Sequence, residues 1–365
     1  MNRLEPLQQL DGNLIRWRGR TWLGFSGCDY FRLTRHHAVL RAAAAGLHRF
    51  GLNVSASRLT TGHHRIYARL ETELAKFFGA PEALLLPGGY ATSTVVAQAL
   101  AGEFTHVLLD ARAHPALRDA ALHFGCPVRP FKHADPADLA RVAARCGRRA
   151  RIIVLTDGLF SHDGSAAPLA AYLAVLPRTA QLLVDDAHGA GVLGAHGRGA
   201  PEHAGVPRRR IIQCVTLSKA FGSYGGAVLG ARALREKILA RSRAFIGCTP
   251  LPPPLANAAL QAVKILRRDG RRRARLRRNA EYVKAALRAA GWTIPAAPGP
   301  ILVLHPRSVA QRNSVRRQLL AAGIYPPFLK YAGSPAGFFR FVISSEHTRA
   351  QLDLLVQVLA DAAVR

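Results

Sequence analysis

The chain has 365 residues, 49% of them hydrophobic, and carries 51 lysines and arginines against 22 acidic residues, a formal charge of +29. Its five cysteines (Cys28, Cys126, Cys146, Cys214 and Cys248) lie far apart with no Cys-x-x-Cys pair, which argues against a disulfide framework or a structural zinc site and suits a reducing cytoplasm. So basic a field favours anionic partners, yet the arginines are dispersed and no nucleic-acid motif accompanies them, so solvated arginines are expected rather than bound nucleic acid.

Residues 1–20 hold no apolar core of signal-peptide length, and no run approaches the roughly eighteen apolar residues of a membrane span. A cytoplasmic protein without membrane contact is expected. The length suits one large domain and a smaller one. The expected division is an N-terminal segment over 1–40, a large domain over 41–255 and a small C-terminal domain over 256–365.

Leu14 to Leu23 reads as a short hairpin and Val39 to Leu47 as a helix. The loop Gly51 to Gly62 is rich in small and hydroxylated residues. The next helix, Tyr67 to Phe78, places Leu70, Leu74, Phe77 and Phe78 on one face at helical spacing. Ala83 to Leu86 is a buried strand, followed by the turn Pro87-Gly88-Gly89-Tyr90 and a helix over Val95 to Leu100. A strand, a glycine turn and a helix N-terminus make an anion site, because free N–H groups and the helix dipole both favour negative charge. His106 to Asp110 is the next strand, with His114 in the loop beyond, and Arg151 to Thr156 another, leading through Asp157-Gly158-Leu159-Phe160 to Ser161.

The two most informative stretches follow. Leu182-Leu183-Val184-Asp185-Asp186-Ala187-His188-Gly189 is a buried strand that ends in a carboxylate with a histidine three residues on. Ile211 to Val215 is a buried strand that delivers Lys219 into the small-residue turn Thr216-Leu217-Ser218-Lys219-Ala220-Phe221-Gly222. An amine held among apolar and small groups is driven toward its neutral form, which imine formation requires. Asp-x-x-His and Lys at the ends of two strands suit pyridoxal phosphate, with the carboxylate on the ring nitrogen and the lysine as Schiff base. Each strand feeds a helix, the pattern of a parallel sheet covered on both faces, whose ligands sit at the C-terminal strand ends. Gly226 to Gly230 adds a further strand. Past Pro252 to Pro254 a helical stretch runs from Ala256 to Ala290, and its arginine-rich segment, Arg267 to Arg278, reads as a solvated helix face. Phe338 to Ile343 is a strand carrying Arg340 between large apolar neighbours, costly unless the guanidinium is paired.

The pair DDAHGAGVLGAHGRG and TLSKAFGSYGG resembles the α-oxoamine synthases, fold-type I pyridoxal phosphate enzymes, and the resemblance runs from about Phe25 to the last helix. It implies an α/β fold: a large domain with a mostly parallel seven-stranded sheet covered by helices, and a smaller α+β C-terminal domain. It also implies a homodimer with shared active sites, and condensation of a small amino acid with an acyl thioester, of CoA or of an acyl-carrier protein, with loss of CO2. By the same resemblance Lys219 carries the cofactor, Asp185 pairs with its ring nitrogen, His188 bonds its 3-oxygen and His114 stacks on the ring. Gly89, Tyr90 and Thr216, with Thr249 from the partner subunit, hold the phosphate, and Ser161 is a further cofactor contact. Arg340 binds the substrate carboxylate. Phe25 to Leu33 resembles the family's F-S-S-N-D-Y-L-G-L, with Cys28 where an asparagine helps hold the substrate and Arg32 where a glycine stands. Tyr67 replaces a histidine. The altered segment leaves a transaminase or decarboxylase open as the alternative enzyme, and the charge leaves a nucleic-acid-binding or scaffold protein as the alternative outside enzymes.

Overall fold

The structure is a computed structural model that describes residues 5–331 and 334–363. The chain forms two compact units: one of Leu33–Phe160 and Ala166–Gly270, the other of the described residues in Met1–Arg32, Ser161–Ser165 and Arg271–Arg365. The boundaries expected at residues 40 and 255 fall inside the continuous helices His37–Phe50 and Pro253–Arg268, and the units change over at 32/33 and 270/271 instead.

The larger unit is built on seven strands: β1 (Glu82–Leu86), β2 (His106–Asp110), β3 (Val128–Phe131), β4 (Ile152–Asp157), β5 (Gln181–Asp185), β6 (Ile211–Thr216) and β7 (Gly226–Gly230). Their order across the sheet is β1-β7-β6-β5-β4-β2-β3. β7 runs antiparallel to both neighbours, and the pairs β6–β5, β5–β4, β4–β2 and β2–β3 are parallel. Alternate residues of the central strands enter different cores, as the two-residue period of a strand requires. Ile153, Leu155 and Leu183 pack with Val95, Val96 and Leu117, whereas Ile152, Val154, Leu182 and Val184 pack with Leu139, Leu169 and Tyr172. A sheet buried on both faces leaves only its strand ends for chemistry. Helix α1 (His37–Phe50) packs on the helix Pro253–Arg268, where Asn257 Nδ2 donates to the carbonyl of Ala42 at 2.7 Å. Helix α2 (Arg65–Phe78) buries Leu70, Leu74, Phe77 and Phe78, the face read from their spacing. Tyr67 is buried too, its hydroxyl donating to the carbonyl of Leu251 at 2.6 Å, and burial pushes its pKa up to about 12. That tyrosine joins two parts of the core.

The smaller unit holds a three-stranded antiparallel sheet in which Ser334–Val342 lies between Ile301–Leu304 and Phe328–Tyr331. Phe25, Val283, Leu287, Trp292, Leu304, Phe339, Phe341 and Leu355 make its core. The N-terminal hairpin expected over Leu14 to Leu23 is present, with Leu14–Trp17 against Arg20–Leu23. His347 stacks on Phe25 with centroids 4.3 Å apart, and burial pulls its pKa down to about 3, so the ring is a neutral staple. The stretch read as one helix over Ala256 to Ala290 is two, Pro253–Arg268 and Gly270–Ala289, because Asp269 (φ −110°, ψ 79°) leaves helical geometry just before a glycine. Arg271, Arg275, Arg277 and Arg278 are exposed while Leu276, Ala280, Val283 and Leu287 are buried. No described helix is long and apolar enough to cross a membrane.

Candidate active site

β2, β4, β5 and β6 end on one edge of the sheet and deliver their next residues to a single place. A cavity of about 280 Å³ opens there, lined by Gly88, Gly89, Tyr90, His114, Asp185, Thr216 and Lys219 together with Ala187, Ser218 and Tyr224. Lys219 sits in the turn after β6, which is closed by the N–H of Leu217 to the carbonyl of Gly225 at 2.9 Å and by Ser223 to Leu217 at 3.0 Å. Its Nζ lies 2.9 Å from His188 Nε2. His188 reaches that point because β5 ends at Asp185 and the chain turns there, Asp185 Oδ1 accepting the N–H of Ala187 at 3.1 Å. The amine and the imidazole can therefore share or pass a proton.

His114 caps the short helix α4 (Pro115–Ala121), its Nδ1 accepting the N–H of Ala116 at 3.2 Å. Its own N–H donates to Asp157 Oδ2 at 3.1 Å. Burial lowers the His114 pKa, with the nearby Lys219 adding to that and Asp185 opposing it. A half-buried neutral imidazole so placed offers a flat face to a ring. Asp157 faces Asp185 across the β4–β5 register, and burial, with Asp185 second, raises its pKa well above the usual carboxylate range.

At the other end of the cavity, Gly89 passes so close to Thr216 that a Cβ would lie 2.7 Å from the threonine Cβ. Only glycine allows that approach. It sets the start of helix α3 (Ala91–Ala99), where Tyr90 is the N-cap and gives no side-chain cap, beside Thr216 and Ser218, whose hydroxyls are 2.8 Å apart. Uncapped helix N–H groups beside two hydroxyls are a donor set for a phosphate. With a carboxylate, two imidazoles and an amine at the opposite end, these residues fit pyridoxal phosphate. Thr249 is exposed and does not line this cavity.

Ser161, Cys28 and Arg340 belong to the other unit. There Arg340, paired with Val303 in the sheet, points Nη2 at Cys28 Sγ at 3.7 Å. Its Nε is buried with no hydrogen-bond partner among the described residues, a donor suited to an anion. Cys28 is half-buried. Arg32 holds a left-handed backbone (φ 52°) where relatives have glycine, and its Nε donates to Asn13 Oδ1 at 2.6 Å. Sequence reasoning missed Ser218 and Tyr224 as cavity residues, although both lie in the stretch that carries Lys219.

The chain matches the family model for aminotransferase class I and II over residues 20–359. It is 38% identical over 352 residues to the 8-amino-7-oxononanoate synthase of Methylococcus capsulatus, covering 94% of this chain and 90% of that one. The fold resembles a structure of SPT with PLP, with a TM-score of 0.92 and 26% identity over 98% of this chain and 92% of that one. It also resembles the serine palmitoyltransferase of Sphingomonas wittichii, with a TM-score of 0.89 and 27% identity over 97% of this chain and 90% of that one.

Proposed function

Because the chain belongs to the aminotransferase class I and II family, in its α-oxoamine synthase branch, we propose that it joins a small amino acid to an acyl thioester, releasing the thiol and CO2 and yielding an α-amino ketone. The observation that carries this reading is the Lys219 amine, 2.9 Å from His188 Nε2 in a cavity shared with Asp185, His114 and the Gly88–Gly89 turn. Pyridoxal phosphate, when bound, supplies an aldehyde for imine formation and a ring that accepts electrons from Cα. Lys219 would hold that aldehyde through its amine, and the amine, once freed, would take the proton from the amino acid's Cα. His188 orients the amine and gives the proton a second resting place. Asp185 holds the ring nitrogen in its cationic form. His114, kept neutral by burial, covers one ring face and excludes water from it. Thr216, Gly89 and Tyr90 hold the phosphate, with Thr249 of the partner subunit. Ser161 is a further cofactor contact, and Arg340, whose buried Nε has no partner among the described residues, binds the substrate carboxylate beside Cys28. The 8-amino-7-oxononanoate synthases among its relatives support an acyl chain as the second substrate.

We also propose a homodimer in the cytoplasm. Leu40, Leu47, Leu52 and Leu59 are each 46–72% exposed on α1 and the loop that follows it, and all five cysteines are free thiols.

The test of the function has two parts. Borohydride treatment of the cofactor-loaded protein should fix the label to the peptide containing Lys219, and Lys219→Ala should carry none. Incubation with glycine, L-alanine or L-serine and an acyl-CoA should then release free thiol and CO2 together. Label retained by Lys219→Ala would overturn the assignment. Amino-group transfer or CO2 release without thiol would select the transaminase or decarboxylase reading, which the replacement of asparagine by Cys28 favours.

A further inference from the structure

Tyr90 is 53% exposed and lines the cavity, in the turn that the resemblance assigns to the phosphate. The ring is nevertheless held in place. Its hydroxyl donates to Asp119 Oδ2 at 2.5 Å, and its edge meets the His114 ring at 6.0 Å between centroids and 71° between planes. Asp119 lies on α4, little more than a turn beyond the His114 that caps it. Tyr90 is the residue from which α3 starts. One hydrogen bond therefore ties together the two segments that face opposite ends of the cofactor cavity.

A phenol on a carboxylate is a charge-assisted bond of the short, strong kind. At an open surface such a bond fixes little, because both groups can find water instead. Here it does more, since Tyr90 also lines the cavity. Without the tether the ring is free to swing out over an exposed surface, taking with it the edge contact to His114. The bond to Asp119 also raises the Tyr90 pKa, so the hydroxyl remains a donor through the neutral range.

We infer that Asp119 is a positioning residue for the cofactor: through the Tyr90 hydroxyl it fixes the Tyr90 ring at the mouth of the cavity and against His114, and so slows cofactor release. This rests on the proposed pyridoxal phosphate site and adds to it a residue that touches no cofactor atom.

The test uses the loaded protein and three variants, Tyr90→Phe, Asp119→Asn and the two combined. Release of pyridoxal phosphate is followed by its absorbance after dilution into excess apo-enzyme of an unrelated pyridoxal phosphate protein. Each single substitution should speed release about fivefold, the scale expected for one exposed charge-assisted bond. The double variant should be no faster than the faster single, because both remove the same tether. Unchanged release in either single variant would overturn the proposal, as would rates that multiply in the double. Thermal unfolding of the apo-proteins separates this from a general loosening of the fold. The variants should melt with the wild type, and a parallel fall in melting temperature and residence time would assign the pair a structural role only. A wild-type chain that takes up no pyridoxal phosphate would overturn both this inference and the proposed function. A wild type that holds it beside variants that release it no faster would overturn this inference alone.

Discussion

Asp157 is a buried carboxyl with one donor among the described residues, the N–H of His114, and with Asp185 opposite it in the sheet register. Asp110 at the end of the adjacent β2 shows the contrast: it accepts from Arg112 N, Ala134 N and the Tyr172 hydroxyl, and pairs with His133 Nδ1. A donor-poor carboxyl beside another acid holds its proton. The sign for stability follows from the raised folded-state pKa. The native chain binds this proton more tightly than the unfolded one, so stability falls as pH rises above the ordinary carboxylate range toward the folded pKa. Asp157→Asn removes that dependence while keeping an oxygen for His114. The apo-variant should therefore gain melting temperature relative to wild type between pH 5 and pH 8, and parallel curves across that range would show that Asp157 is ionised in the fold. Cys28, Arg32 and Tyr67 teach a related lesson. Each departs from the family pattern, and each departure is legible in the sequence, but the partners that absorb it lie about 20 to 310 residues away and are not: Asn13 for Arg32, Arg340 for Cys28 and Leu251 for Tyr67.

Elements were legible where apolar runs met small-residue turns. β2, β4, β5 and β6 are such runs, and their ends are where His114, Ser161, Asp185, His188 and Lys219 were sought. β3 (Val128–Phe131) escapes that rule because Arg129 and Pro130 interrupt it, and it lies at the sheet edge, where proline is tolerated. The loop between β5 and β6 shows what a motif conceals. Asp186, next to the carboxylate that faces the cavity, turns the other way and accepts the N–H of Ala200 at 2.9 Å and the Gln213 amide at 2.6 Å. Gly158, Gly189 and Gly199 pack around it so closely that a Cβ on any of them would collide with its oxygens. This cradle shapes the loop that brings His188 to Lys219. Burial raises the Asp186 pKa to about 7, above its value of 3.8 when unfolded. Its contribution to stability therefore declines as pH rises from about 4 to about 7 and is constant above that. Asp186→Asn should flatten this window, measured as urea midpoints at pH 5 and 7. Gly199→Ala meets both the carboxylate and a left-handed backbone (φ 88°), and should cost at least ~2 kcal/mol in the same measurement. A midpoint within error of wild type would mean that the loop reshapes freely.

At the scale of the molecule, the charge of +29 comes from 51 basic residues, and the exposed ion pairs that balance part of it, such as Arg232–Glu236 and Arg349–Asp353, contribute little individually. Apolar exposure is the more specific signal. One face of α1 is closed by the helix Pro253–Arg268, where a Cβ on Gly46 would lie 2.9 Å from Pro254 Cα. Leu40, Ala44 and Leu47, at helical spacing on α1, remain exposed, and Leu52 and Leu59 in the following loop are 72% and 48% exposed. Single exposed leucines need no explanation, but a run of them on one helix and its loop is the pattern of a surface covered by another chain. In the proposed dimer that surface meets its copy, and exposed Thr249 is the residue each subunit would lend to the other. Replacing Leu47 and Leu52 together with aspartate puts two charges into that patch without touching the cores of the sheet. Sedimentation should show the wild type as a dimer and the double variant as a monomer. The monomer should keep the borohydride label on Lys219, whose cavity comes from its own chain, with pyridoxal phosphate held at least ~10-fold more weakly for want of the partner's hydroxyl and the covered face. A variant that stays dimeric, or a monomer that binds the cofactor as tightly as wild type, would remove the partner from the site.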